Sequence, residues 1–224
     1  MKYEHVREGK FIERPNRFVA RVLLDGREEI CHVKNTGRCR ELLTPGARVI
    51  LSLGVGAARK TKWDLIAVWK GDMLINMDSQ APNKVFAEWA QSGIPGLKHL
   101  KPEAQKGNSR FDFYFETETS RGYIEVKGVT LENDGVARFP DAPTARGARH
   151  VRELMQCRAE GLEAWVAFVV QMPGMKRMEP NWDTDPEFSR ALVEAKAAGV
   201  HVVALGCHVE EDALEIAEKV PVCL

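Results

Sequence analysis

Two short stretches hold residue types that do phosphate chemistry: RFDFYF at residues 110–115 and YIEVKG at residues 123–128. Each alternates apolar and polar residues, the pattern of a half-buried strand. Successive side chains along a strand point to opposite faces. Phe111, Phe113 and Phe115 then share one face, and Arg110, Asp112 and Tyr114 the other. In the second stretch Ile124 and Val126 face one way, Glu125 and Lys127 the other. ETETSRG between them suits a hairpin loop, and pairing the strands sets Asp112 near Glu125 with Lys127 two residues along. Two carboxylates in close approach repel, and leaving water is unfavourable for both. A hard divalent cation resolves this, since Mg2+ is held by one or two carboxylates with waters and substrate phosphate oxygens. A lysine beside it can orient or deprotonate a water, or stabilise charge on a phosphate. The pattern predicts a Mg2+ (or Mn2+) site for phosphodiester hydrolysis, ligated by Asp112, Glu125 and the backbone carbonyl of Val126, with Lys127 catalytic. The competing reading is an ordinary exposed hairpin face, where Asp, Glu and Lys are all common.

Neighbouring residues fit the first reading. Glu88 lies on the helix just before the hairpin and is the candidate third catalytic carboxylate. After the hairpin, TARGARHVREL brings Arg146, Arg149 and His150 onto or near one helix, and Arg110 flanks Asp112. Arginine suits bidentate phosphate contacts. In the first third of the chain, KNTGRCR and ARKTKW place Lys34, Arg38, Arg40, Arg59, Lys60 and Lys62 in two loops, with Trp63 beside the second. Basic loops track phosphates and aromatic rings stack bases. Solvated loop charges, a core tryptophan and a packed histidine are the bland alternatives.

These residues need a scaffold. Residues 18–26, 28–35, 47–54, 63–69 and 72–77 read as five short strands with turn signals at Asp25-Gly26, Pro45-Gly46 and Lys70-Gly71-Asp72. Such spacing predicts a small all-β barrel of the OB type over residues 1–80. The rhythm changes at SQAPNKVFAEWAQSG, where Val85, Phe86, Trp89 and Ala90 recur at helical spacing and Gly93 follows as a stop. A domain boundary is placed near residues 78–82. The rest, residues 81–224, reads as α/β: helix, hairpin, helix, strand, helix, strand. LENDGVARFPDAP reads as a loop, Thr144 and Asp185 as helix caps, and EAWVAFVVQM as a fully buried central strand. The final sixteen residues are ambiguous between strand and helix.

The composition narrows the function classes. Lys and Arg equal Asp and Glu at 32 each, so the chain is no polycation. Residues 1–70, however, hold 15 basic against 8 acidic residues, which leaves 17 against 24 in the remainder. That asymmetry suggests an anionic partner for the first part. The 5 cysteines form no CxxC or Cys/His ladder, which disfavours zinc and reads as reduced thiols in a cytoplasm. The N-terminus shows no apolar run of a signal peptide. The longest apolar run, residues 164–170, falls short of the ~20 residues a membrane helix needs.

Eight sequence blocks, in order, resemble the sugar fermentation stimulation protein A (SfsA) family over nearly the whole chain. They are NTGR (35–38), TPG (44–46), SQAPN (79–83), RFDF (110–113), EVKGVTL (125–131), FPDAPT (139–144), RG (146–147) and HVREL (150–154). The resemblance implies an N-terminal OB-like domain, a C-terminal PD-(D/E)xK nuclease-like domain with a mixed sheet and flanking helices, and nucleic-acid binding. It also implies a link to sugar, notably maltose, metabolism. Glu88 matches the helical acid of that core, Asp112 the metal-binding acid, and Glu125 with Lys127 the ExK element. His150 falls on the helix that supplies an auxiliary polar residue. Ala145 departs from the Glu that relatives often carry before RG, and Gly128 from a common Ser. The expectation is a DNA-binding protein, weakly sequence-specific, with a Mg2+-dependent endo- or exonuclease site. The alternative is a non-catalytic DNA-binding regulator on a nuclease-like scaffold. Whether it forms a homo-oligomer is left open.

Overall fold

The structure, a computed structural model, describes residues 1–224 apart from Thr36, Val55, Ala57, Ala58 and Asn108. Thr36 of the NTGR block therefore lies outside the described residues. The first part of the chain forms β1 (Val6–Asn16), β2 (Val19–Leu24), β3 (Arg27–Val33), β4 (Arg48–Leu53), β5 (Trp63–Lys70) and β6 (Met73–Asn76). Their order is β3-β2-β1-β4-β5, and β3 also pairs in parallel with β5, so five strands close into a barrel of OB type. Closure removes the open edges that a free sheet would expose. Asp25 and Gly26 have φ of 51° and 76°, as a two-residue hairpin turn of this kind requires.

The expected number of barrel strands is right and their membership is not. β1 was absent from the expectation, and the 72–77 stretch forms β6, which extends β5 outside the ring. The sequence of β1, VREGKFIERPN, hides its alternation because only Gly9 and Phe11 are fully buried along it. Charged residues on both flanks mask a strand whose one face touches the core.

The second part comprises α1 (Ala81–Gly93), β7 (His99–Lys106), β8 (Ser109–Glu116), β9 (Arg121–Val129), β10 (Leu131–Asn133) and β11 (Val136–Phe139). There follow α2 (Ala145–Ala159), β12 (Glu163–Val170), β13 (Arg177–Pro180), α3 (Pro186–Ala197), β14 (His201–Val209) and β15 (Leu214–Val220). The main sheet runs β15-β14-β12-β9-β8-β7, with β14, β12 and β9 parallel and the outer pairings antiparallel. Val85, Phe86 and Ala90 of α1 pack with Phe113, Phe115 and Ile124 on one face. Val151 and Leu154 of α2 and Leu192 of α3 pack with Val166 and Phe168 on the other. Thr144 Oγ1 accepts from the Gly147 N–H at 3.0 Å, and Asp185 Oδ1 from the Phe188 N–H at 2.9 Å, so both expected caps are in place.

Three departures matter. The stretch expected as a loop holds a small hairpin, β10-β11, turned at Asp134-Gly135 and extended by β13. The ambiguous terminal stretch forms strand β15. Phe111 does not share a face with Phe113 and Phe115: it packs on the α2 side, 5.3 Å from the Tyr123 ring and 5.9 Å from the His150 ring. The reason is a break in the ladder. Pro102 pairs with Phe113 and Ala104 with Phe111, but no Glu103–Asp112 pair lies between them, and Glu103 has a φ of 52°. Strict period-two alternation fails at Asp112.

The barrel is fastened to the second domain at three places, one of them Lys70 of β5, whose Nζ donates to Glu132 Oε1 at 2.6 Å and Glu132 O at 3.0 Å. At the linker, Asn76 N–H donates to Gln171 O at 2.9 Å, and Gln171 Nε2 donates to Asn76 Oδ1 and Asp78 O. Asp78, wholly buried, pairs with Lys34 of the barrel at 2.7 Å. At the other end, Tyr3 N–H donates to Asp212 O at 2.7 Å and Leu214 N–H to Met1 O at 3.0 Å. The five cysteines are free thiols, four buried and Cys223 exposed. Among the described residues no helix is long and apolar enough to cross a membrane.

Candidate active site

The β8–β9 hairpin brings Asp112, Glu125 and Lys127 together. Their surroundings are buried, which removes the exposed-hairpin alternative. Glu125 is 4% exposed. Its Oε1 accepts from Lys127 Nζ at 2.6 Å and from His150 Nδ1 at 2.7 Å, with His150 in the tautomer that donates there. Its Oε2 is buried and has no hydrogen-bond partner among the described residues. Burial pushes the Glu125 carboxyl up, but the His150 hydrogen bond and the Lys127 ammonium outweigh it, and the pKa lies below the ordinary glutamate range.

Asp112 sits at the ladder break. Its Oδ2 accepts from the Val126 N–H at 2.8 Å, taking the place of a main-chain partner. Its Oδ1 accepts from Asn83 Nδ2 of α1 at 2.9 Å. Burial and then repulsion from Glu125 push its pKa above the ordinary aspartate range, against both hydrogen bonds. Neighbouring carboxyls shifted in opposite directions are a signature of acid/base and metal chemistry.

The remaining site expectations divide. Glu88 is a correction: it is 58% exposed, and its Oε2 accepts from the Met1 amine at 2.7 Å. That amine also binds Leu214 O, at the β15 end of the sheet. Three strand spacings of ~4.8 Å separate β15 from β9, on the order of 14 Å. Asn83, one helical face away and earlier in α1, is the α1 residue that reaches the acids. His150 is a second correction. At 3% exposure it cannot touch a nucleic acid and instead holds Glu125. Arg146 is exposed on α2, with Nε 3.5 Å from His150 Nε2. Arg149 is exposed and 3.8 Å from Glu153, and Arg110 is exposed and 3.8 Å from Glu103.

On the barrel, Arg38 and Arg40 line a cleft of about 380 Å³ with Arg14 and Arg17. Lys60 and Lys62 are exposed. Trp63 is 7% exposed, so it is a core residue and offers no stacking face; Lys62 Nζ lies 5.3 Å from its ring. Arg59 pairs with the buried Asp64, which also binds His32. Sequence reasoning missed Arg14, which shapes the Arg38 loop by donating to the carbonyls of Gly37, Arg38, Arg17 and Asn35. No residue pattern signals it, because it lies on the strand that was itself missed. Asn83 was within reach, as the last residue of the SQAPN block.

A closed OB barrel joined to a mixed α/β domain, with an acid pair and a lysine on its central hairpin and a buried histidine behind them, defines the class of this two-domain protein. Family profiles match both parts: the SfsA N-terminal OB domain over residues 12–77 and the sugar fermentation stimulation protein RE domain over residues 80–213. The chain belongs to the sugar fermentation stimulation protein family. It is 55% identical to a sugar fermentation stimulation protein homolog of Desulfitobacterium hafniense (strain Y51), over 100% of this chain and 99% of the relative. It is 54% identical to the homolog of Clostridium beijerinckii, over 100% of both. The solved structure of Pyrococcus furiosus SfsA in complex with Ca2+ superposes with a TM-score of 0.92 at 28% identity, covering 100% of this chain and 98% of that one.

Proposed function

We propose that this protein binds DNA and hydrolyses its phosphodiester bonds with a divalent cation held at Asp112 and Glu125. One observation carries this reading: a buried glutamate whose second oxygen, Oε2, has no protein partner among the described residues, beside a second carboxyl that burial also perturbs. An orphaned buried carboxylate oxygen is unfavourable unless something binds it. The donor set is two carboxylates, with no group of three or more His, Cys, Asp or Glu of metal-holding geometry among the described residues. Mg2+ suits such a set, because it keeps several waters and substrate oxygens. Val126 turns its N–H toward Asp112, and a strand residue presents its carbonyl on the same side. This supports the Val126 carbonyl as the third protein ligand. A relative that is itself a Ca2+ complex supports a divalent cation in the family.

The cation, when bound, would activate water and polarise the phosphoryl oxygens. The chain's own residues do the rest. Lys127 offers a positive charge where negative charge builds on the phosphate, a stabilisation that grows toward the transition state. His150 fixes the Glu125 carboxylate and so the free oxygen. Arg146 and Arg149 lie exposed on α2 to contact the flanking backbone.

The test is metal-dependent nicking of single- and double-stranded DNA by the parent and by Lys127→Ala. The variant is expected to keep DNA affinity within a few-fold and to lose nicking by about 100-fold. A parent that nicks no substrate, with a Lys127→Ala variant that loses affinity tenfold or more, would make Lys127 a binding residue. The non-catalytic regulator would then be the correct reading.

A further inference from the structure

Building on that reading, we propose that the cleft between the barrel and the second domain is a pocket for one unpaired nucleobase of the strand whose phosphate lies at Glu125 and Lys127. The cleft has a volume of about 320 Å³. Its lining includes Asn35 and Gly37 from the barrel and Gly128, Val129, Phe139 and Asp141 from the second domain. The two domains meet across it: a Cβ on Gly37 would lie 2.7 Å from Asp141 Oδ2. Gly128 follows Lys127 directly, so the pocket opens one residue from the acid–lysine cluster. It lies beyond the C-terminal ends of the parallel strands β9 and β12, where open α/β sheets receive ligands.

Its size and polarity choose the ligand. Ligand pockets run from about 300 to 1,000 Å³, and this one sits at the small end. It has room for a base with its sugar and none for a base pair. Most of its polar side chains are already engaged: Asn35 with Met77 O and the Gly37 N–H, Ser79 with Lys34 O, Thr144 with the Gly147 N–H. Asp141, exposed, has no hydrogen-bond partner among the described residues. Gln171 is held by its Nε2, which directs Oε1 to within 2.6 Å of where a Cβ on Gly128 would stand. Arg138 is 3.5 Å from Glu179, and its Nε–H is buried with no hydrogen-bond partner among the described residues. Acceptors at Asp141 and Gln171 with a donor at Arg138 match the amine-beside-acceptor edges of cytosine, adenine or guanine. Half-buried Phe139 and the Pro140 ring supply the apolar surface that a base face needs. Unpairing a base from a duplex is unfavourable, so the pocket selects single strands or frayed ends.

The test is fluorescence anisotropy with the full chain, Ca2+ and a labelled oligonucleotide carrying one abasic position that is scanned along it. Single-stranded DNA should bind at least tenfold tighter than the same sequence as a duplex. One abasic position should weaken binding about tenfold, and cytosine or adenine there should bind better than thymine, whose only donor is the N3–H set between two carbonyls. Asp141→Ala and Asp141→Asn should flatten the scan while keeping the parent's melting temperature, since Asp141 is exposed. A parent that binds the oligonucleotides with a flat scan, or that prefers the duplex, overturns the pocket and leaves the nuclease reading standing. A parent that binds no oligonucleotide overturns both.

Discussion

The two charged regions of this molecule are built on opposite principles. On the barrel the cations are many and mostly exposed, and several are already neutralised at home by exposed partners: Arg48 by Glu8, Arg21 by Glu28, Arg7 by Asp25. In the hairpin cluster the charges are few, Glu125 buried and Asp112 and Lys127 half-buried, and one carboxylate oxygen is left without a partner among the described residues. Exposed pairs contribute about 0–1 kcal/mol each and can be exchanged for phosphate contacts with little loss. Buried charges have no such freedom, so their arrangement persists only where the surroundings fix it. Under the proposed function the barrel would hold an anionic polymer loosely and the hairpin would act on one bond.

The sharpest way to break this contrast is at Glu125. Glu125→Gln removes the charge that Lys127 and His150 face. Divalent-cation binding by isothermal titration should vanish and metal-dependent nicking should fall by about 100–1,000-fold. Stability at pH 7 should fall by about 3 kcal/mol, because the lysine is left without its buried partner. Retained cation affinity in a folded Glu125→Gln protein would remove Glu125 from the metal site.

The barrel should respond differently. Arg38, Arg40, Lys60 and Lys62 changed together to Ala should lower DNA affinity about uniformly across sequences. The slope of log affinity against log salt should shrink by about 0.7–0.9 for each phosphate that is no longer neutralised. An unchanged slope in that variant would mean that the strand does not cross these loops.

Asp112 sharpens the contrast within the cluster. Its pKa is raised on folding, so the folded state holds the proton more tightly than the unfolded one. The associated stability is present below the ordinary aspartate range and is lost as pH rises through the raised value. Asp112→Asn should therefore melt about 2–4 °C above the parent at pH 7 and lose that advantage toward the ordinary aspartate range. Glu125 has the opposite sign. Its lowered pKa contributes stability above the ordinary glutamate range, lost as pH falls through the folded value. A lower melting temperature for Asp112→Asn at pH 7 would show that its hydrogen bonds to Val126 and Asn83 outweigh its burial. The smallest effect is expected at Glu88, where Glu88→Gln should leave cation affinity and nicking within about twofold of the parent.

The hairpin cluster was legible because strand alternation is local. Residues 125 and 127 could be placed on one face from alternation, residue 112 only beside them because alternation fails there, and turn signals found four of the five barrel strands. What could not be read was set by neighbours distant in sequence. Glu88 looked available because helical spacing does not say which strand faces a helix residue, and α1 turns it toward β15. His150 and Trp63 looked like ligand-facing polar and aromatic groups because their burial depends on elements far along the chain. The face of Phe111 was missed because the ladder break depends on Glu103, on a strand whose HLKPEAQK sequence shows little strand pattern.

The separated fastenings of the barrel carry a mechanical consequence. A body attached at one point swings about a hinge, whereas a body attached at two separated points is a rigid joint. The barrel is held by the Asn76–Gln171 contacts at its exit and by the Met1–Tyr3 pairing with Asp212 and Leu214 at its entrance. Lys70 of β5 adds a third tie, to Glu132 of β10 at 2.6 Å, so the barrel stands on the second domain as a tripod stands on its plate.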